Sequence, residues 1–304
     1  MVQTSASVDP SSEVAIHFDS ETKLFNALQL MGLIGSMISL VTALFSSVPR
    51  QATWYNFFVS WIVYCTSYLL IFFAGHAYDG NPSLSLCLAQ SSLNHAASPF
   101  SAACALALVI QLYLNIQATL TRKSIRGTHY YWHIVLLITP YVIFVVLMIE
   151  SLSLTLATNA KFSSISYCSL ENPVPGKITA ALVVVLVVPI LVVNLLIYLS
   201  FRKHSSFLLE RNYMSMFVRV SIFTLFGLVS AIVGLIFFFL NQIDTNSRKV
   251  RVGMNIILAI IPVAAVLVFG THKDLLNLVW PFRREEPLPP VPKIHVEYVI
   301  ESME

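Results

Sequence analysis

Charge is what this sequence has least of. Of its 304 residues only 11% are Asp, Glu, Lys or Arg, against about 25% in an ordinary soluble domain. Hydrophobic residues make up 57%. So few ionisable groups cannot solvate a globule that apolar, which excludes a soluble enzyme and a disordered chain. Cysteine is also scarce: Cys65, Cys87, Cys104 and Cys168 are the only four. No two stand at metal-site spacing, so CxxC zinc and redox centres and a disulfide-framework miniprotein are excluded. A net charge of +3 leaves no basic footprint for nucleic acid. What remains is apolar length, with a mean hydropathy of +0.76, the composition of a polytopic membrane protein.

The rare ionisable residues act as fences between long apolar runs. Stretches free of Asp, Glu, Lys and Arg lie between Lys23 and Arg50, Arg50 and Asp79, Asp79 and Arg122, and Arg126 and Glu150. Three more lie between Lys177 and Arg202, Arg219 and Asp244, and Arg251 and Lys273. A spanning helix needs about 20 apolar residues, and each run is long enough. The Asp79–Arg122 run has 42 residues. It has no turn cluster after Pro82, so it reads as a loop and one long tilted helix rather than two spans. The fold class predicted is an all-α membrane protein, a bundle of seven transmembrane helices. The spans are expected at about 24–47, 54–75, 87–117, 129–149, 177–201, 217–240 and 251–270. Helices are the form in which an isolated run can satisfy its backbone in lipid, and the alternation of a barrel is absent. Pro99, Pro140, Pro189 and Pro262 fall inside spans, where neighbours re-satisfy the freed carbonyls.

Around this bundle (24–270) the chain divides into an N-terminal tail (1–23), a juxtamembrane segment (271–280) and a Pro-rich tail (281–304). Residues 1–23 carry four acids and one base, the wrong charge for a cleavable leader. They read as a translocated, extracellular tail before a signal-anchor helix. With the N-terminus outside, 12 of the Lys and Arg residues fall on the inner side and 6 on the outer. The positive-inside bias therefore predicts N-out and C-in. Trp54, Tyr55, Tyr130, Tyr131, Trp132 and Trp280 are then expected at the inner headgroup level. The run Pro287-Leu288-Pro289-Pro290-Val291-Pro292 reads as an extended spacer.

In this topology Cys87 starts span 3 on the outer side, and Cys168 sits in the longest outer loop, 150–176. Both face an oxidising compartment. A bridge between them would tie the loop over the mouth of the bundle; the alternative is two free thiols.

Seven spans, an outer N-terminus, a long third helix with Cys87 at its outer end and Cys168 in the second outer loop resemble a G-protein-coupled receptor. Phe269-Gly270-Thr271-His272-Lys273-Asp274, followed by Leu275-Leu276-Asn277-Leu278-Val279-Trp280, is similar to the end of a seventh span running into a short amphipathic helix. The signatures of the rhodopsin-like class are missing. Gln111-Leu112-Tyr113 stands where Asp-Arg-Tyr would, Ile261-Pro262-Val263 replaces Asn-Pro-x-x-Tyr, and span 6 has no Cys-Trp-x-Pro. The chain looks closer to divergent fungal seven-transmembrane receptors, those similar to cyclic-AMP receptors of slime moulds and to fungal glucose receptors. The resemblance implies a plasma-membrane receptor for an extracellular small-molecule or peptide ligand, signalling to a heterotrimeric G protein.

Span 3 carries a polar stripe: Gln90, Asn94, Ser98 and Ser101 recur at helical spacing, with Ser91 and His95 beside them. Asn94 and His95 lie roughly 10–12 Å below Cys87 at about 1.5 Å per residue. Ser91, Asn94, His95 and Ser98, with Glu150 and Asn255, are the candidate ligand-binding residues; the competing reading is helix–helix glue. A second stripe of Gln111, Asn115 and Thr119 runs toward Arg122. Arg219, which opens span 6, could join it in a polar switch. Arg122, Lys123, Arg126, Arg202, Lys203 and Arg219 form the candidate inner face for a G protein, or for acidic membrane lipid.

Other activities find no residues. Span 7 has no mid-span Lys for a retinal Schiff base, and the span cores lack the charges of ion pumps. His129 and His133 share a helix face at the headgroup level without a nearby carboxylate. No metal site, cofactor or catalytic set is therefore expected. The alternative to a receptor is a transporter or lipid-handling protein for small uncharged or amphiphilic cargo.

Overall fold

Every one of the seven charge-free runs becomes a helix. A computed structural model describes residues 10–46, 50–77, 82–121, 128–158, 162–164, 167–170, 173–203, 213–240 and 247–270. In chain order the elements are α1 (Pro10–Phe45), α2 (Ala52–Phe73), α3 (Leu84–Thr121), α4 (Thr128–Thr158), β1 (Phe162–Ser164) and β2 (Cys168–Leu170). Then follow α5 (Pro173–Lys203), α6 (Tyr213–Leu240) and α7 (Ser247–Ala265), which a π-helical turn, Val266–Gly270, extends. All seven helices contain an apolar segment long enough to cross a bilayer. The protein is a seven-helix membrane bundle. The 42-residue run is a loop and a single helix, as its lack of a second turn cluster predicted.

Two features depart from the sequence expectation. Helix α1 starts at Pro10, inside the stretch expected as a polar tail, and its spanning part starts at Ser20. Proline is at home in a first helical turn, where its missing N–H has no partner to lose. The loop after α4 also holds a two-stranded antiparallel ribbon pairing Phe162 with Leu170 and Ser164 with Cys168. Three-residue strands carry too little pattern to be legible. The amphipathic helix expected at 271–280 and the Pro-rich tail lie outside the described residues, as do Arg122, Lys123 and Arg126.

Packing closes the helices into a ring. Neighbours in space are α1–α2, α2–α3, α3–α5, α5–α6, α6–α7 and α7–α1, while α4 leans on the outside of α3. Helix α3 is the axis: 67% of its most apolar window is buried, against 17% for α4 and for α5. Large apolar side chains such as Ile138, Val142 and Val146 on α4 and Val185, Val188 and Leu195 on α5 point outward. In lipid that is their favourable place, and helix association must rest on close packing and polar contacts instead.

Both are present. At Gly32 an added Cβ would lie 2.6 Å from Pro262 Cβ and 3.1 Å from Cys65 Sγ, so α1, α7 and α2 meet at a bare backbone. Gly35 faces Val266 and Gly270 faces Ser39 in the same way, which sets α1 and α7 in parallel register. Polar clasps join the other neighbours. Tyr55 Oη donates to Ala43 O, Ser101 Oγ to Ser60 O, Thr179 Oγ1 to His95 O and Asn194 Nδ2 to Thr224 Oγ1. Arg219 Nη1 donates to Val268 O at 2.8 Å, clasping α6 to the π-helical turn of α7.

Candidate functional site

One end of the bundle is built around the Cys87–Cys168 disulfide, which links the start of α3 to β2 across a Cα separation of 5.2 Å. Both cysteines are buried, with Ile71 of α2 packed against them. The end of α2 is shaped for this. Gly75 takes a positive φ of 79°, His76 N–H donates to Ile71 O and Gly75 N–H to Phe72 O. That is a Schellman cap, which turns the chain away while satisfying the last carbonyls. Cys65 and Cys104 are buried free thiols within α2 and α3.

Directly beneath the bridge, Gln90 staples three elements. Its Nε2 donates to Ser67 O and Tyr68 O of α2, and its Oε1 accepts the Cys168 N–H at 2.9 Å. Gln90 is fully buried, so every polar atom of its amide is used. Its role is to position the loop over the bundle. Gln90→Leu would orphan the buried Cys168 N–H, at a cost of about 2 kcal/mol. The check is thermal unfolding of the detergent-solubilised protein, with the midpoint lowered.

The ribbon carries Tyr167 inward. Its hydroxyl donates to Asn255 Oδ1 of α7 at 3.2 Å, and its ring stacks on Phe25 of α1 and meets Tyr68 of α2 edge-on. The Tyr68 hydroxyl in turn interacts with Tyr64 and with Ser98 of α3. One aromatic residue of the disulfide-tied loop thus touches α1, α2 and α7.

The same end of the bundle holds polar side chains without partners. Asn26 and Gln29 of α1, and Ser91 and Asn94 of α3, are all buried. Both amide atoms of Asn26, Gln29 and Asn94, and the Ser91 hydroxyl, lack a hydrogen bond. Gln90 meets Ser67 and Ser101 meets Ser60, so the antiparallel register sets Asn94 against the Tyr64–Tyr68 stretch of α2. Asn26 follows Phe25, and Gln29 lies one turn further on the same face. A buried unpaired amide costs about 1–3 kcal/mol; such groups persist where water or a ligand satisfies them. None of these side chains is charged. The chemistry offered is hydrogen bonding plus ring stacking, which suits an uncharged polar or aromatic ligand.

From Tyr68 an unbroken aromatic column descends α2 through Tyr64, Trp61, Phe57, Phe58 and Trp54. It meets Phe223 of α6 and Phe269 of the π-helical turn, and ends where Arg50 covers the Trp54 ring at 4.8 Å. The spacing 54, 57/58, 61, 64, 68 is helical and was readable in the sequence. Trp54, at the foot of this column, is 4% exposed and packs into the core. Tyr131 and Trp132 are exposed.

The remaining predicted residues separate. Ser98 and Asn255 join the aromatic set, and Ser91 and Asn94 belong to the buried polar set on α3. His95 turns to α5, where Thr179 Oγ1 bonds its carbonyl and approaches its Nδ1. Glu150, half-exposed on α4, gives its carbonyl to Ser153 and has no bond to the cluster. At the opposite end Arg202 and Lys203 are exposed at the end of α5. Gln111 bonds Asn115 within α3, and Arg219 bonds α7. Among those residues no cluster of His, Cys, Asp and Glu could hold a metal ion. No family model matches the chain, and no curated protein is significantly similar to it.

Proposed function

We propose that this protein is a plasma-membrane receptor of the G-protein-coupled type, with its disulfide end outside. It binds an uncharged extracellular ligand between α1, α2, α3 and α7, beneath Tyr167. The observation that carries the reading is a set of buried, unpartnered amides under a disulfide-tied loop, joined by a continuous aromatic column to the Arg219–Val268 clasp at the other end. A ligand that favours one arrangement of Tyr167, Tyr68 and Tyr64 biases the packing of Trp61 and Phe57 against Phe223 of α6. It shifts the population of bundle states by its differential affinity for them. Movement of α6 away from the π-helical turn opens the end bearing Arg202 and Lys203 to the G protein.

The test is nucleotide exchange by a panel of G proteins in membranes containing the protein, under a screen of uncharged polar and aromatic compounds. Arg219→Met removes a charge-assisted bond that holds α6 to α7, so ligand-independent exchange is expected to rise by about ten-fold. Asn94→Leu removes ligand-dependent exchange while the protein still reaches the cell surface. Exchange that no compound and neither variant alters, together with substrate flux into proteoliposomes, would replace the receptor by a transporter.

A further inference from the structure

Helix α4 carries an acid inside the membrane that the receptor reading does not use. The sequence set Glu150 at the boundary between span 4, 129–149, and the loop that follows. In the structure α4 runs on to Thr158, and its spanning segment is Tyr131–Ala157. Glu150 therefore lies about two turns, or roughly 10 Å, inside that segment. No other Asp or Glu stands as far from the end of a spanning segment. A carboxyl group in hydrocarbon is costly and calls for a partner.

The bundle does not supply that partner. Glu150 Oε1 has no hydrogen bond. The Ser153 hydroxyl, one turn on, donates to the Glu150 backbone carbonyl and not to its carboxyl. His95 of α3 is turned to Thr179 of α5. Glu150 is half-exposed, so its side chain is open on the outside of the bundle. Its surroundings there form a regular seam. Thr139, Val142, Val146, Ile149, Ser153 and Leu156 are all exposed. Their spacing alternates three and four residues, the a and d positions of a left-handed helix pair. Exposed apolar residues alone say nothing in lipid. Glu150, however, takes the e position of this seam, where helix pairs place the charges that choose a partner.

We propose that the outer seam of α4 docks a membrane-spanning helix of another protein, one that carries a lysine or arginine in the half nearer the disulfide end. Its basic side chain donates to the Glu150 carboxylate, and each group relieves the cost of the other in hydrocarbon. Charge complementarity decides against a second copy of this chain. In a symmetric pair of α4 helices the residues facing Glu150 stand at the g positions, Val145 and Leu152. Both are apolar and offer a carboxylate nothing. The proposal depends on membrane insertion and not on the receptor assignment.

The experiment uses the full chain in phosphatidylcholine liposomes. The probe is a photoreactive poly-leucine spanning peptide with one lysine two turns from its end. Irradiation and peptide mapping are expected to show saturable crosslinks to the segment 139–156. The unlabelled lysine peptide competes; an all-leucine peptide does not. Glu150→Gln should weaken saturable crosslinking about ten-fold. Its unfolding midpoint without peptide should be unchanged or higher, since a costly group has gone. Val146→Trp disturbs the seam with the carboxyl intact and should give the same loss. Equal crosslinking by the all-leucine peptide, crosslinks that map elsewhere, or a Glu150→Gln protein that labels like the wild type would overturn the assignment. So would self-association of the chain through α4 that Glu150→Gln abolishes, because the occupant would then be a second copy.

Discussion

Replacing Cys168 by Ser is expected to abolish ligand-dependent signalling and to lower the stability of the solubilised protein by about 2–4 kcal/mol. The same result is expected for Cys87→Ser. The bridge closes a chain separation of 81 residues, and its loss releases β2 from α3. Cys168 N–H then leaves Gln90 Oε1, and Tyr167, the preceding residue, loses its position over Asn255 and Phe25. The loss should thus exceed what one covalent link contributes. Non-reducing gels, surface labelling and thermal unfolding check it. A serine variant with wild-type unfolding and wild-type response would show that the loop is held by the Tyr167 and Gln90 contacts alone.

Gly32→Ala, a change of one methyl group, is expected to destabilise the bundle by about 1–3 kcal/mol, and Gly32→Leu to prevent recovery of folded protein. The added Cβ would stand 2.6 Å from Pro262 Cβ. A proline ring on a helix cannot rotate aside, so α1 and α7 must separate. Separation costs the Gly35–Val266 and Gly270–Ser39 contacts below it, because the parallel register makes all three one seam. Gly227→Ala is the control. An added Cβ there meets nothing within 4 Å, and alanine favours helix over glycine by about 1 kcal/mol, so that variant should be neutral or stabilised. Size-exclusion profiles and unfolding midpoints of the variants decide the comparison. Equal behaviour of the two alanine variants would contradict the packing described.

How much was legible follows from what each feature depends on. The number of spans depends on where charge is absent, and charge is local information; all seven runs became helices. The disulfide partner followed from topology, because Cys65 and Cys104 lie within spans and are buried free thiols. The polar stripe on α3 was legible as a stripe, but its division was not. Gln90 staples a loop, Asn94 is left unpaired and His95 faces α5. Adjacent residues on a helix differ by about 100° in direction, and which neighbour stands there is a tertiary fact. The burial of Asn26 and Gln29 was not legible, because nothing local shows which way an amide on the first span points. The burial of Trp54 was not legible, because sequence position gives depth in the membrane and not direction around the helix.

The sequence by itself determined that this chain lives in lipid, that it crosses seven times and that two of its cysteines end on the same side. Those properties are sums over short segments, set by hydrophobic length and the cost of unpaired charge in hydrocarbon. Only the tertiary structure decided that α3 is the axis, that α1 and α7 close the ring through a bare glycine seam, and that Tyr167 reaches Asn255. Lipid is as apolar as the helices it surrounds, so no hydrophobic face tells a membrane helix which neighbour to choose. Shape and a few hydrogen bonds make that choice, and these exist once the helices stand side by side.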